Sequence, residues 1–420
     1  MPTGSGKTLC FSEILKSAHT KGKRALLIAR GRKLISQASI RLLKEGVPHG
    51  IMMAQADRSH DSLIKICSID TLSARRLKPE VDLIIIDEVH QAVSNSYRNF
   101  IAQYPSTQIL GVTATPFVNQ SLRHVADHIV KPVTMKQLID LNYLVPLIYY
   151  APAVPDLSHV KISRMTKDYD ERDLSEEMAK PKIVGDIVDH WKRLGENRPT
   201  LCFAVTVRHS KMIVDSFNAQ GIPAVHCDAS SSDDYRSHCI DRLVSGQIKI
   251  LSNVGIFGIG VDIPEVSCMI LARPTTSLAL YFQQCGRGTR IAKNKSNCLV
   301  LDHAGNVLKH GFVTTEHDPQ IDGKPSKKRS ISILRCPQCF AVIESWPCEC
   351  GYQPKESSRK LIEHVSGELQ AFNEQDFVNK IKKEVQELEA TRQRLGFKKG
   401  YVWAKIAEKY GSGAANFYTS

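Results

Sequence analysis

The clearest chemistry in this 420-residue chain lies in its first eight residues. In Pro2-Thr3-Gly4-Ser5-Gly6-Lys7-Thr8 the small residues let backbone N–H groups turn inward around a phosphate. The Lys7 ammonium can reach β- and γ-phosphate oxygens, the Thr8 hydroxyl can ligate Mg²⁺, and a helix starting here turns its positive end on the anion. Thr3, Gly4, Ser5, Gly6, Lys7 and Thr8 are therefore the candidate ATP-binding residues. A second group is Leu83-Ile84-Ile85-Ile86-Asp87-Glu88-Val89-His90. Its apolar run reads as a buried strand, and α/β sheets place catalytic groups at the carboxyl ends of such strands. Asp87 is expected to hold Mg²⁺, and Glu88 to polarise an attacking water as general base.

A third constellation lies far downstream. Cys336-Pro337-Gln338-Cys339 and Cys348-Glu349-Cys350-Gly351 present two thiolate pairs separated by eight residues. Cys336, Cys339, Cys348 and Cys350 can close a tetrahedral S₄ site on structural Zn²⁺, and a module this small needs the metal to fold. A redox CxxC is the competing reading, without a thioredoxin-like context to support it. The other eight cysteines sit singly, mostly in apolar runs, as reduced core residues do. The basic run Lys327-Lys328-Arg329 suits either phosphate contact or a solvated linker.

These residues need a frame to position them. Lys7 to Ser17 and Lys33 to Leu43 have helical spacing, while Ala25–Ala29, Leu63 to Ser68, Val81 to Ile86 and Gln108 to Val112 read as strands. The rhythm lapses at Ala151-Pro152-Ala153-Val154-Pro155 and through the charged stretch Lys161 to Glu177. It resumes with a helix at Ile183 to Arg193 and strands at Leu201 to Val205, Ala224 to Cys227, Ile248 to Asn253, Met269 to Ala272 and Asn297 to Asp302. The fold class is therefore α/β, two lobes of parallel sheet flanked by helices. The expected boundaries are 1–148 for the first lobe, 149–180 for a hinge and 181–316 for the second lobe. A linker at 317–332, a Cys₄ module at 333–354 and a helical, charged tail at 355–420 follow. Composition agrees: 42% hydrophobic and 24% charged residues suit a globular protein, and no run is long and apolar enough for a membrane span. No signal pattern opens the chain, so a cytoplasmic setting is expected. A net charge of +13 suits a polyanionic partner.

The motifs in order resemble superfamily 2 helicases over roughly residues 1–310. Asp87-Glu88-Val89-His90 resembles the DEAD/DEAH box, Ala29 to Gln37 takes the place of motif Ia, and Gly111-Val112-Thr113-Ala114-Thr115-Pro116 resembles motif III. Gly258-Ile259-Gly260-Val261-Asp262-Ile263-Pro264 resembles motif V, and Gln283-Gln284-Cys285-Gly286-Arg287-Gly288-Thr289-Arg290 resembles motif VI. The resemblance implies two RecA-like lobes, with Gly260 and Asp262 beside the nucleotide. It further implies that Gln283, Arg287 and Arg290 act in catalysis, Arg290 as the arginine finger. Arg273-Pro274-Thr275-Thr276-Ser277, the Gly-Arg-Gly form of motif VI and Leu301-Asp302-His303-Ala304-Gly305-Asn306 resemble the RadD-like bacterial and phage branch. That implies DNA, single-stranded or branched, as partner and repair as the setting, with RNA as the alternative. It also implies a replication or repair protein bound through the tail. The strand that normally delivers the phosphate loop and the upstream adenine-recognising segment do not precede Met1. A truncated chain or a late-assigned start is expected over a genuinely shortened product, which would bind ATP weakly and have a destabilised first lobe. A non-enzymatic DNA- or partner-binding module with a crippled ATPase is the competing reading.

Overall fold

The structure is a computed structural model. It describes all residues except 54–60, 117–120, 152–154, 164–165, 258–261, 316, 318, 323–332, 355–373, 399 and 411–420. The expected linker at 317–332 and the start of the tail thus lie largely outside the described residues, as do the basic run 327–329 and Gly260. The chain forms two compact units, residues 1–354 and 355–420.

The first lobe runs α1 (Lys7–Thr20), β1 (Ala25–Ala29), α2 (Arg32–Lys44), β2 (Gly50–Met52), β3 (Ile64–Ser68), α3 (Ile69–Ala74), β4 (Leu83–Asp87), α4 (Asn95–Ile101) and β5 (Gln108–Val112). Its sheet has the order β2-β3-β1-β4-β5, with every pair parallel. All five residues of β1 are buried, because helices cover both faces of a central parallel strand. One face packs Leu27, Ile66 and Ile85 against Phe11, Leu15 and Ile35; the other packs Leu26, Ile84 and Ile86 against Tyr97 and Phe100. β5 ends the sheet, and its residues are only half-buried or exposed.

The second lobe contains α5 (Met135–Asp140), β6 (Leu147–Tyr150), α6 (Glu171–Met178), α7 (Pro181–Leu194), β7 (Thr200–Phe203), α8 (Val207–Ala219), β8 (Ala224–Cys227), α9 (Asp233–Val244) and β9 (Ile250–Asn253). β10 (Cys268–Leu271), α10 (Leu278–Gly288), β11 (Cys298–Asp302) and α11 (Asn306–His310) complete it. Its parallel sheet has the order β6-β11-β10-β7-β9-β8. Here the structure departs from the sequence boundaries. Met135, Leu138, Leu144 and Tyr149 pack in the second lobe's core, and β6 pairs with β11, so residues from about 135 belong to that lobe.

The charged stretch read as a hinge is likewise built in. The Asp168 carboxylate accepts hydrogen bonds from the Thr275 hydroxyl at 2.5 Å, the Thr276 N–H at 2.6 Å and the Thr276 hydroxyl at 3.0 Å. Leu174 and Met178 of α6 bury against Val205. Alternating charge hid the Asp168 contacts, since their partners lie over a hundred residues downstream. After the second lobe the chain returns to the first, where Ile321 packs on its core and Asp322 receives a forked pair of hydrogen bonds from Arg123.

β12 (Leu334–Arg335) and β13 (Val342–Ile343) form a short antiparallel pair carrying the cysteines. The second unit holds α12 (Glu374–Leu395) and α13 (Gly400–Tyr410), which share a small core of Val402 and Ile406 with Val385, Leu388 and Tyr401.

Candidate active site

Two left-handed glycines shape the phosphate loop: Gly4 at φ 80° and Gly6, the N-cap of α1, at φ 81°. A side chain would be strained at either position. The loop lies directly on the second lobe. A Cβ at Gly286 would fall 2.4 Å from Thr3 Cβ, so only glycine lets α10 come this close. A Cβ at Gly4 would meet Leu144, Thr289 and Arg290. The Thr289 carbonyl in turn accepts from the Val145 N–H at 2.7 Å, which pins the end of motif VI to the start of the second lobe.

This packing gathers charge at the seam between the lobes. Lys7 is held below the usual lysine range, first by burial and then by repulsion from Arg287 and Arg290, against the attraction of Glu88 and Asp87. Burial pushes Arg287 down to about 10, with Glu88 opposing, and lowers Arg290 as well. Asp87 rises to about 6 through burial and the adjacent Glu88 charge. Lys7, Arg287 and Arg290 thus gather near Asp87 and Glu88, with Asp262 paired to Arg290. Cations gathered beside a glycine-rich phosphate loop at a helix start suit a triphosphate. The Ser5 hydroxyl points the same way, being buried without a hydrogen-bond partner among the described residues. Lys7 Nζ donates to the Pro2 carbonyl at 3.3 Å, an oxygen in the role a phosphate oxygen would take.

Glu88 is positioned by strand register. β4 and β5 are parallel with Asp87 opposite Val112, so the next residues, Glu88 and Thr113, emerge side by side. The Thr113 hydroxyl donates to Glu88 Oε2 at 3.2 Å and accepts from the Thr115 N–H at 3.0 Å. His90 Nδ1 lies 2.9 Å from the Thr113 hydroxyl and 3.2 Å from Glu88 Oε2. Burial alone would raise the Glu88 carboxyl, but His90, Lys7 and Thr113 outweigh it and hold it low, so Glu88 stays ionised. The backbone of Glu88 is itself left-handed, at φ 50°, a conformation of the kind stored at functional sites. His90, Thr113 and Thr115 are site residues that motif matching quotes without assigning a role. The shared register of β4 and β5 is the signal that finds them.

The remaining candidates are placed less evenly. Arg290 pairs with Asp262, which joins motif VI to the end of motif V within the second lobe. Gln283 is buried on α10, one turn before Arg287. Thr8 is exposed at the start of α1.

The four cysteines converge. Cys336 Sγ lies 3.6 Å from Cys350 Sγ and Cys339 Sγ 3.5 Å from Cys348 Sγ, and all four sulfurs fall within 4.8 Å of one another. A tetrahedron with Zn–S bonds of about 2.3 Å has S···S edges of about 3.8 Å, so the donor set fits Zn²⁺. The module is anchored on the second lobe. The Ala151 N–H donates to the Phe340 carbonyl at 3.0 Å, Tyr150 bridges Ala341, and the guanidinium groups of Arg193 and Arg335 each lie over the Phe340 ring.

Comparison with known proteins agrees with this arrangement. Residues 1–118 match the family described as type III restriction enzyme, res subunit, and residues 179–292 match the helicase conserved C-terminal domain. A 51.5 kDa protein of a Lactococcus phage is 29% identical over 405 residues, 91% of this chain and 86% of its own length. The IRC3 protein of Saccharomyces cerevisiae, provisionally named an ATP-dependent helicase, is 30% identical over 330 residues. That match covers 73% of this chain but only 48% of the yeast protein. Among solved structures, a fragment of a type I restriction enzyme subunit from Vibrio vulnificus YJ016, provisionally assigned as HsdR, superposes with a TM-score of 0.58 at 20% identity. It covers 77% of this chain and 62% of the fragment, and shows a shared fold. With both helicase domains in order, and with the second lobe's arginines on the first lobe's phosphate loop, the chain belongs to the superfamily 2 helicases, ATP-dependent enzymes that act on nucleic acid.

Proposed function

We propose that the chain is a DNA translocase or helicase of the RadD-like branch, working on single-stranded or branched DNA in repair or recombination. The observation that carries its coupling is the contact of Gly286, Thr289 and Arg290 with Thr3 and Gly4. A nucleotide bound by the loop of one lobe meets the arginines of the other, so hydrolysis depends on lobe closure and closure can be turned into movement. Thr3 to Thr8 would hold the ATP phosphates and Thr8 and Asp87 the Mg²⁺, which supplies charge neutralisation at the β- and γ-oxygens. Glu88 takes the proton of the attacking water, Arg287 and Arg290 face the developing charge, and Gln283 and Asp262 support them. The Cys₄ module would hold structural Zn²⁺.

The DNA reading rests on the Gly-Arg-Gly motif VI and the cysteine module. ATPase assays with single-stranded DNA, duplex DNA and RNA test it. The expected result is stimulation by single-stranded DNA that disappears in Lys7→Ala and Glu88→Gln. Stimulation by RNA alone would replace DNA as the partner, and stimulation surviving in Glu88→Gln would remove Glu88 from the mechanism.

A further inference from the structure

The turn between α12 and α13 interleaves cations with aromatic residues. From residue 390 to 407 there are five Lys or Arg, three aromatic residues and no Asp or Glu, although acids flank the stretch at Glu389 and Glu408. The hairpin's few apolar contacts are turned inward, with Val402 and Ile406 buried against Val385 and Leu388. Leu395, Phe397 and Trp403 remain outside at 53%, 43% and 42% exposure, and Arg394, Lys398 and Lys405 are exposed among them. The turn is held in shape. Arg392 is bound by Glu389, its NH1 group donates to the Phe397 carbonyl at 3.3 Å, and the Phe397 and Tyr401 rings lie 4.7 Å apart.

An exposed apolar turn usually invites a protein partner, but protein interfaces do not require exposed cations interleaved with the aromatic rings. Aromatic faces presented among cations suit stacked bases and their phosphates. We propose that the α12–α13 turn is a single-stranded nucleic-acid binding element separate from the ATPase motifs. Trp403 and Phe397 stack on bases, and Arg394 and Lys398 contact the backbone. This deepens the reading of the chain as a nucleic-acid motor and gives it a handhold outside its two lobes.

The full-length protein is titrated with a fluorescently labelled oligo(dT) without nucleotide, across a salt series, and its ATPase is measured with and without oligo(dT). Trp403→Ala is expected to weaken binding between about five- and a hundredfold, and Trp403→Phe to restore most of it. Arg394→Gln with Lys398→Gln should make the slope of log K against log[salt] shallower by about 1.4. Hydrolysis without DNA should stay at the wild-type rate in all three. The Trp403→Phe and charge variants keep the hairpin core, so they answer the question even if Trp403→Ala unfolds it. Wild-type affinity and salt slope in these variants would overturn the proposal and leave the turn as a protein-docking surface. A wild-type chain whose hydrolysis ignores oligo(dT) while the variants still lose binding would instead sink the motor reading and spare this one.

Discussion

Glu88 owes its ionised state to Thr113 and His90 more than to its own exposure, since it is largely buried beside Asp87. Thr113→Val removes one donor and keeps the side-chain shape. A hydrogen bond to a charged group is worth about 1.5–3 kcal/mol, so kcat is expected to fall on the order of 10- to 100-fold with little change in KM for ATP. Steady-state kinetics check this, and an unchanged kcat would leave Thr113 a mere strand-end residue. The candidate roles of Lys7, Asp87 and Glu88 were legible in the sequence as expectations because phosphate and metal chemistry allows few substitutes. The Glu88–Thr113–His90 network was not, because it depends on the β4–β5 register, a non-local pairing.

Among strands and helices, the central strands of both lobes were readable as continuous apolar runs. By contrast β2, β6 and α6 are short or polar and take their place from partners distant in sequence. Strand β6 pairs with β11 on one side, and the cysteine module attaches where β6 ends, at Tyr150 and Ala151. Because the module has little core of its own, removing Zn²⁺ should unfold residues 333–354 and release the Ala151 N–H from Phe340. Hydrogen exchange read with and without a chelator should show Ala151 at least tenfold faster after metal removal. Unchanged protection there would mean that the module folds without metal or contributes nothing to the end of β6.

Across the whole molecule, buried ionisable groups set a pH limit on the second lobe. Burial lowers His209 to about 4 and His303 to about 3, and both imidazoles are fully enclosed. The unfolded chain takes up those protons near pH 6.5 and the folded lobe does not, so stability present above that pH is lost as pH falls. Asp302 opposes this. Burial raises it to about 6, so between about pH 4 and 6 the folded lobe holds a proton that the unfolded chain has released. His190 and His317, also lowered by burial, act in the same direction as the other histidines. Within the second lobe the histidines outnumber Asp302, so its stability is expected to fall as pH drops below 6. Asp302→Asn should steepen that dependence by about one further proton. Urea unfolding at pH 4.5, 5.5 and 6.5 measures it, and an unaltered slope would contradict the assignment.

On the proposed reading, activity depends on one ATP site completed by both lobes. Arg287 sits on the second lobe yet shares a buried cleft with Lys7 and Glu88 of the first. The direct test is nucleic-acid-stimulated ATP hydrolysis by Arg287→Ala alongside ATP binding by the same variant. Hydrolysis reduced at least a hundredfold, with ATP affinity within about tenfold of wild type, is the predicted result. Hydrolysis at the wild-type rate would show that the first lobe works alone and that the contact between the lobes has no part in the chemistry.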